Sequence, residues 1–253
     1  MSRFTGKVVL VTGSSRGIGA AIAQAFVNEG AQVVGVARTA SELSLENYHA
    51  LDFDLGNSSA ADLQKMVDGV VERHGRIDGL INNAGIIRRA PALDFSESDW
   101  NDVLRVNLTS PFFLSQAVVK WWTKDEKAKG RMRDGTRLKI VNIASLLSFQ
   151  GGILVPAYAA SKHGIAGLTK ALANEWAPLG INVNAVAPGY VETENTAALR
   201  ADPVRSQSIL ARIPQGHWAN PKDIAGACLF FMSSDSDYVN GSILNVDGGW
   251  LGR

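Results

Sequence analysis

A single cysteine, Cys228, excludes an internal disulfide and any multi-cysteine metal site. It lies in the apolar helical pattern IAGACLFFM, which marks a buried, inert thiol rather than a nucleophile. An excess of charge is missing too. The formal net charge is +1, so neither a basic surface for nucleic acid nor an acidic solvating tail is expected. No uninterrupted apolar run approaches the ~20 residues of a membrane span. The stretch MSRFTGKVVLVTG meets an apolar strand after six residues, without the longer apolar segment and small-residue cleavage site of a secretory signal. The expectation is a cytoplasmic protein that holds no metal and acts on a small molecule.

The 253 residues suit one large α/β domain or two small ones. Short β-branched runs at 7–11, 31–37, 49–53, 79–82, 138–144, 181–187 and 242–246 read as seven strands. Most are continuously apolar rather than alternating, as in a parallel sheet buried on both faces. Helical patterns lie between them at 17–29, 58–74, 98–121, 156–177 and 221–232. This alternation predicts a doubly wound, Rossmann-type α/β sheet in a single domain spanning 1–253. Two stretches break the rhythm. About a dozen residues separate Arg38 from the third strand, too few for a crossover helix, and 123–137 (TKDEKAKGRMRDGTR) is charged, glycine-containing and aperiodic. Both read as loops, the second solvated and mobile.

Gly13, Gly17 and Gly19 sit between the first strand and the first helix in VVLVTGSSRGIGAAIAQAF. A turn without side chains lets the backbone approach a pyrophosphate at a helix N-terminus. The first two glycines are four apart, not two as in the commonest dinucleotide fingerprint. The second strand ends in GVARTA, with Ala37 where an acid would hold the ribose 2′-hydroxyl of NAD, and then Arg38. Arg16 in the glycine turn adds a second cation, and guanidinium groups pair well with phosphate oxygens. NADP(H) is therefore favoured, with NAD(H) the other candidate. The bland alternative is a pair of solvated arginines.

Ser145 precedes Tyr158 by thirteen positions, and Lys162 follows it by four. On a helix, Tyr158 and Lys162 project from one face. A free phenol has a pKa of about 10; a neighbouring ammonium lowers it toward a useful acid–base range. Ser145, at a strand end, has the hydroxyl to stabilise a developing alkoxide. Either Tyr158 or Lys162 alone reads equally well as an ordinary helical surface pair.

The combination of TGSSRGIG, NNAG at 82–85, Ser145 and YAASK at 158–162 resembles the short-chain dehydrogenase/reductase superfamily over essentially the whole chain. The resemblance implies a catalytic set of Asn107, Ser145, Tyr158 and Lys162, with Asn107 anchoring a water in the proton path and Lys162 holding the nicotinamide ribose. It assigns cofactor contacts to Gly13, Ser15, Arg16, Gly17, Ile18, Gly19, Arg38, Asp54, Leu55, Asn83, Ala84 and Gly85. Further along, Tyr158, Lys162, Pro188, Gly189, Val191 and Thr193 join them. NNAG would line the adenosine side and steady the central sheet. For Asp54, a helix N-terminal cap is the alternative role.

NNAGIIRR, NIASLLSFQGGI, NAVAPGYVETENT, RIPQGHW and the final VDGGWLGR are similar to the sugar-acid branch of that superfamily, the gluconate and deoxygluconate dehydrogenases. A polyhydroxy carboxylate needs a cation and polar partners. Arg88 and Arg89 follow the NNAG strand end, and a bidentate arginine suits a carboxylate. Ser145, Gln150, Tyr158 and Trp218 are the other substrate candidates, while Trp250 is assigned to packing at a subunit contact. Two further readings stay open: a β-ketoacyl-carrier-protein reductase-like enzyme and a non-catalytic NADP(H)-binding sensor. Family analogy implies a homotetramer built from 98–121, 156–177 and the last strand.

Overall fold

The computed structural model describes residues 2–39, 43, 45–133 and 135–253, with only the backbone of 131–133. Seven strands form one sheet: β1 (Val8–Thr12), β2 (Gln32–Ala37), β3 (Tyr48–Asp52), β4 (Gly79–Asn82), β5 (Leu138–Ile143), β6 (Ile181–Pro188) and β7 (Ile243–Val246). Every pairing is parallel and the order is β3-β2-β1-β4-β5-β6-β7. The strand order reverses between β1 and β4, so their C-terminal ends open the crevice where such sheets bind ligands.

The helices are α1 (Gly17–Asn28), α2 (Ala60–His74), α3 (Glu97–Leu104), α4 (Ser110–Lys124), α5 (Glu126–Arg133), α6 (Pro156–Trp176), α7 (Glu194–Ala201), α8 (Pro203–Leu210) and α9 (Pro221–Met232). Alternate residues of the central strands feed two apolar layers. Leu10, Val34, Leu80, Ile140 and Val183 meet α2, α4 and α6 on one face. On the other, Val9, Val33, Ile81, Val141 and Val186 meet α1 and α9, where Cys228 is fully buried. Burial pushes that thiol up to about 12, as an inert core cysteine requires. No described helix is long and apolar enough to cross a membrane.

Three segments differ from the sequence expectation. The charged stretch at 123–137 contains α5 rather than only loop: Asp125 caps it through Ala128 N–H at 2.6 Å, and the small Ala128 is its buried anchor. One alanine leaves no apolar period to read. The helix expected at 98–121 is divided by a π-helical turn at Arg105–Thr109, whose wider coil re-aims Asn107. Past β6, two short helices not anticipated from the pattern form on local caps. The Asp202 carboxylate accepts from Val204 and Arg205 N–H at 3.0 and 3.1 Å, starting α8, and Thr196 Oγ1 accepts from Thr193 N–H at 3.1 Å at the start of α7. The described residues between β2 and β3 are not helical, consistent with the short gap there.

A buried polar chain crosses the sheet beneath the crevice. Asn82 Nδ2 donates to Ser115 Oγ (3.0 Å) and Asn142 Oδ1 (2.9 Å), and Asn142 Nδ2 donates to Thr169 Oγ1 (2.9 Å). It ties β4 and β5 to α4 and α6, and removing its middle leaves an Asn82 donor and the Thr169 acceptor unpaired in the core. Asn142→Val is expected to cost about 2–4 kcal/mol and lower the melting temperature by roughly 5–15 °C, measured by calorimetry. An unchanged melting temperature would show that the chain is dispensable.

Candidate active site

The glycine turn is shaped by its neighbours. Gly13 and Gly17 have positive φ (65° and 56°), the left-handed region open to glycine. A Cβ on Gly19 would lie 2.1 Å from Gly13 O and 2.5 Å from Asn83 Nδ2, so only glycine fits there. Thr12 Oγ1 accepts from the N–H groups of Asn83 and Ala84, both at 3.0 Å, and Asn83 Nδ2 donates to Thr12 O (2.9 Å) and Gly13 O (3.1 Å). The segment after β4 thus braces the turn after β1. From the outer strand, the Tyr48 hydroxyl passes over Gly35 to meet Ser14 Oγ at 2.9 Å. Neither Thr12 nor Tyr48 was singled out from sequence; a β-branched hydroxyl just before the first glycine was the available signal for Thr12.

Helix α1 begins with no side-chain cap and no acidic residue in its first turn. By contrast, Ser59, Ser96, Asp202 and Asn220 cap α2, α3, α8 and α9. The N–H groups at Gly17, Ile18 and Gly19 therefore suit an anion such as a pyrophosphate. Around this cradle, Thr193 meets the position a Cβ on Gly17 would take at 3.5 Å, and Arg16 pairs with Glu194 at the start of α7. Gly189 donates to Val246 O (2.9 Å), while Val191, bridged to Ala219, is buried. Asp54 is not a helix cap, since Ser59 caps α2. Its carboxylate accepts from Gly56 N–H (2.8 Å) and Asn57 Nδ2 (2.7 Å). Burial acts to raise its pKa, but those bonds and the charge of Arg38 outweigh it and hold the group low. Leu55 is buried and its carbonyl takes the Ser110 hydroxyl at 2.7 Å; Ser15 is half-buried and Arg38 exposed.

Tyr158 and Lys162 stand one turn apart near the start of α6, and Ser145 follows β5. Ser145 Oγ accepts from Leu147 N–H at 3.2 Å and is near enough to favour ionisation of the Tyr158 phenol, as does the charge of Arg89. Burial nevertheless raises the phenol above its ordinary pKa, with Ser145 and Arg89 pulling the other way. The expected lowering by the Lys162 ammonium is absent from this balance. Lys162 Nζ sits 5.6 Å from the Tyr158 ring centroid and donates to Ile143 O at 2.6 Å. It is 4 % exposed with a carbonyl for partner, and burial brings its pKa down to about 8. Behind them, Asn107 Oδ1 accepts from Ile86 N–H (2.9 Å), and its Nδ2 donates to Ile86 O (3.0 Å) and Ser161 Oγ (3.2 Å). Gly85 packs on this amide.

The two consecutive arginines part company. Arg88 pairs with Asp99 on α3 at 3.2 Å, whereas Arg89 bonds Asn195 O on α7 at 3.1 Å and is the cation felt by Tyr158. Gln150 Oε1 accepts from Trp250 Nε1 at 3.0 Å. Trp250 is buried within its own chain, against Leu146, Ile209 and Ile213, rather than left on the surface for a subunit contact. Trp218 packs edge-on against Tyr190 at 5.3 Å, and its Nε1 is buried without an acceptor. Glu194 and Asn195, not singled out from sequence, meet Arg16 and Arg89 respectively. A separate groove of about 460 Å³ between β3 and α2, lined by Phe53, Met66 and His74, includes none of these residues.

Residues 7–204 match the model of the short chain dehydrogenase family. The chain is 48% identical over 254 residues to the 2-dehydro-3-deoxy-D-gluconate 5-dehydrogenase of Escherichia coli (strain K12), covering 98% of this chain and 96% of that protein. To the enzyme of the same name from Bacillus subtilis (strain 168) it is 49% identical over 253 residues, with the same 98% and 96% coverage. Among solved structures, a gluconate 5-dehydrogenase from Burkholderia cenocepacia in complex with NADP and tartrate superposes with a TM-score of 0.90 at 36% identity, covering 99% of this chain and 97% of that one.

The burial of Lys162 has a consequence for stability. An unfolded lysine titrates near 10.4, about two units above the folded group. Between the two values the unfolded chain binds the extra proton, so this group makes stability rise with pH from about 8 to ~10.4. Below that window the full cost of burying the ammonium applies. Lys162→Met is therefore expected to stabilise the protein without added cofactor by about 1–3 kcal/mol at pH 7, with the gap closing toward pH 10. Denaturation at both pH values tests this, and a destabilised variant at pH 7 would refute it.

Proposed function

This chain belongs to the short chain dehydrogenase family, and on that premise we propose that it interconverts a ketone and a secondary alcohol on a sugar acid of the deoxy- or ketogluconate type, using NADP(H) in preference to NAD(H). NADP(H), when bound, supplies or accepts the hydride at C4 of its nicotinamide. The amides of Gly17, Ile18 and Gly19 hold its pyrophosphate, and Arg16 and Arg38 offer cations for a 2′-phosphate where Ala37 offers no acid to a free 2′-hydroxyl. Relatives named for deoxygluconate chemistry, and a neighbour solved with NADP and tartrate, support the choice of substrate and cofactor.

Tyr158 Oη gives its proton to the carbonyl oxygen in reduction and takes it back in oxidation. Its raised pKa keeps the phenol protonated at neutral pH, the form that donates. Ser145 Oγ hydrogen-bonds the same oxygen as charge develops there. Lys162 holds the ribose of the nicotinamide with its ammonium, protonated below about 8. Asn107 has both Nδ2 hydrogens engaged, so a water in the proton path meets one of its oxygens instead.

The observation that carries the substrate class is that the charge of Arg89 reaches the Tyr158 phenol, with Arg88 already committed to Asp99. A guanidinium whose charge is felt at the proton donor fits the carboxylate of a short acid and has no counterpart in an uncharged acyl chain. Assembly as a homotetramer and a cytoplasmic location follow from the same family reading; Trp100 on α3 and Leu244 on β7 remain exposed for such contacts.

Tyr158→Phe is expected to lower kcat by 10²-fold or more, on the order of one acid–base catalyst, with the dissociation constant for NADPH unchanged. Arg89→Ala should raise KM for the sugar acid by roughly 30–100-fold, the order of a lost charge-assisted bond, and leave NADPH binding alone. Initial rates across sugar acids and their keto forms, with both nucleotides, check these outcomes. Wild-type protein that binds NADPH and turns over none of them would sink the proposed reaction.

A further inference from the structure

Gln150 lies just past the short helical turn that begins at Ser145, its N–H bonded to Leu146 O at 3.1 Å. What its carboxamide offers a ligand depends on which way it is turned. An indole N–H only donates, so Trp250 Nε1, 3.0 Å from Gln150 Oε1, dictates that the oxygen faces the indole. The two Nε2 hydrogens are left without a protein partner among the described residues.

Trp250 is itself held from several sides. It is 5 % exposed, its ring lies 4.8 Å from that of Tyr190, and the Arg212 guanidinium stacks over it at 4.0 Å. The turn that carries it needs Gly248 and Gly249 at positive φ, 64° and 89°. Asp247 ties that turn by accepting from Gly249 and Leu251 N–H, both at 2.9 Å, and Arg253 Nη2 reaches Ala211 O at 3.0 Å. The same apolar cluster contains Trp218, whose buried Nε1 lacks an acceptor.

We propose that Trp250 is a positioning residue for substrate specificity: the C-terminal turn locks the Gln150 carboxamide as a donor to a substrate hydroxyl, with the Trp218 indole as the second donor of the same wall. This rests on the sugar-acid reading and deepens it. Two donors on one wall, the Gln150 amide and the Trp218 indole, are matched by the oxygens of a polyhydroxy acid. An alkyl chain there would leave those donors unpaired, which is how a polar site rejects an apolar analogue.

Trp250→Phe keeps the ring and removes the N–H. For 2-dehydro-3-deoxygluconate the expected result is a KM raised about 5–20-fold, the scale of a misplaced neutral hydrogen bond, with kcat within about threefold and NADPH affinity unchanged. Gln150→Ala should give a similar loss, and the double variant no further one, because both changes remove one interaction. With a keto acid lacking the hydroxyls, neither variant should alter KM. Equal losses on hydroxylated and hydroxyl-free acids, fully additive effects, or an unchanged KM in a wild-type enzyme active on sugar acids would each overturn the assignment of Trp250 alone. A wild-type enzyme that reduces the hydroxyl-free acid and no sugar acid would overturn the proposed substrate class together with it.

Discussion

The hydrogen bonds around Thr12 are the constraint from which the cleft follows. In a parallel sheet whose order reverses between β1 and β4, the two strand ends diverge into different connections, and nothing in the sheet ladder holds those connections together. The Thr12 hydroxyl, taken by two backbone N–H groups of the NNAG segment, and the Asn83 amide, returned to the carbonyls of Thr12 and Gly13, join them. With the turn after β1 fixed in this way, Gly19 must lack a side chain. Helix α1 then presents bare N–H groups to the crevice, because no side chain caps it. The first asparagine of NNAG faces inward instead and ties the middle of the sheet to α4 and, through Asn142, to α6.

Desolvation, more than pairing of charges, sets the character of the residues proposed for catalysis. Burial raises the Tyr158 phenol and lowers the Lys162 ammonium, and the two side chains do not offset each other directly. Lys162 instead spends its proton on the Ile143 carbonyl at the end of β5, the strand after which Ser145 lies. The same low-dielectric surroundings silence Cys228 on the opposite face of the sheet. The same desolvation thus makes a thiol inert and brings the titration of a lysine down to about 8.

The central strands were legible because most are nearly continuous apolar runs, and the long helix α6 because its period is unbroken. The shorter helices were not. α5 depends on one buried alanine and an aspartate cap, and α7 and α8 on caps worth a kcal/mol or so each, none of which gives a hydrophobic period. The π-helical turn at Arg105–Thr109 was also hidden: the Asn107 it carries bonds Ile86 and Ser161, in two segments remote in the chain.

The amino-acid order by itself determined the parallel α/β architecture, the glycine turn and the spacing that puts Tyr158 and Lys162 on one helical face, because these depend on local periodicity and backbone sterics. Only the tertiary structure decided what the side chains near the cleft do. Arg88 and Arg89 are adjacent and chemically identical, yet one is drawn to Asp99 and the other to Asn195, 106 positions away, from where its charge reaches Tyr158. The last turn of the chain likewise turns inward to Gln150, 100 positions earlier. A partner so distant in sequence leaves no periodic trace near either residue, so these choices come into being only when the sheet brings the segments together.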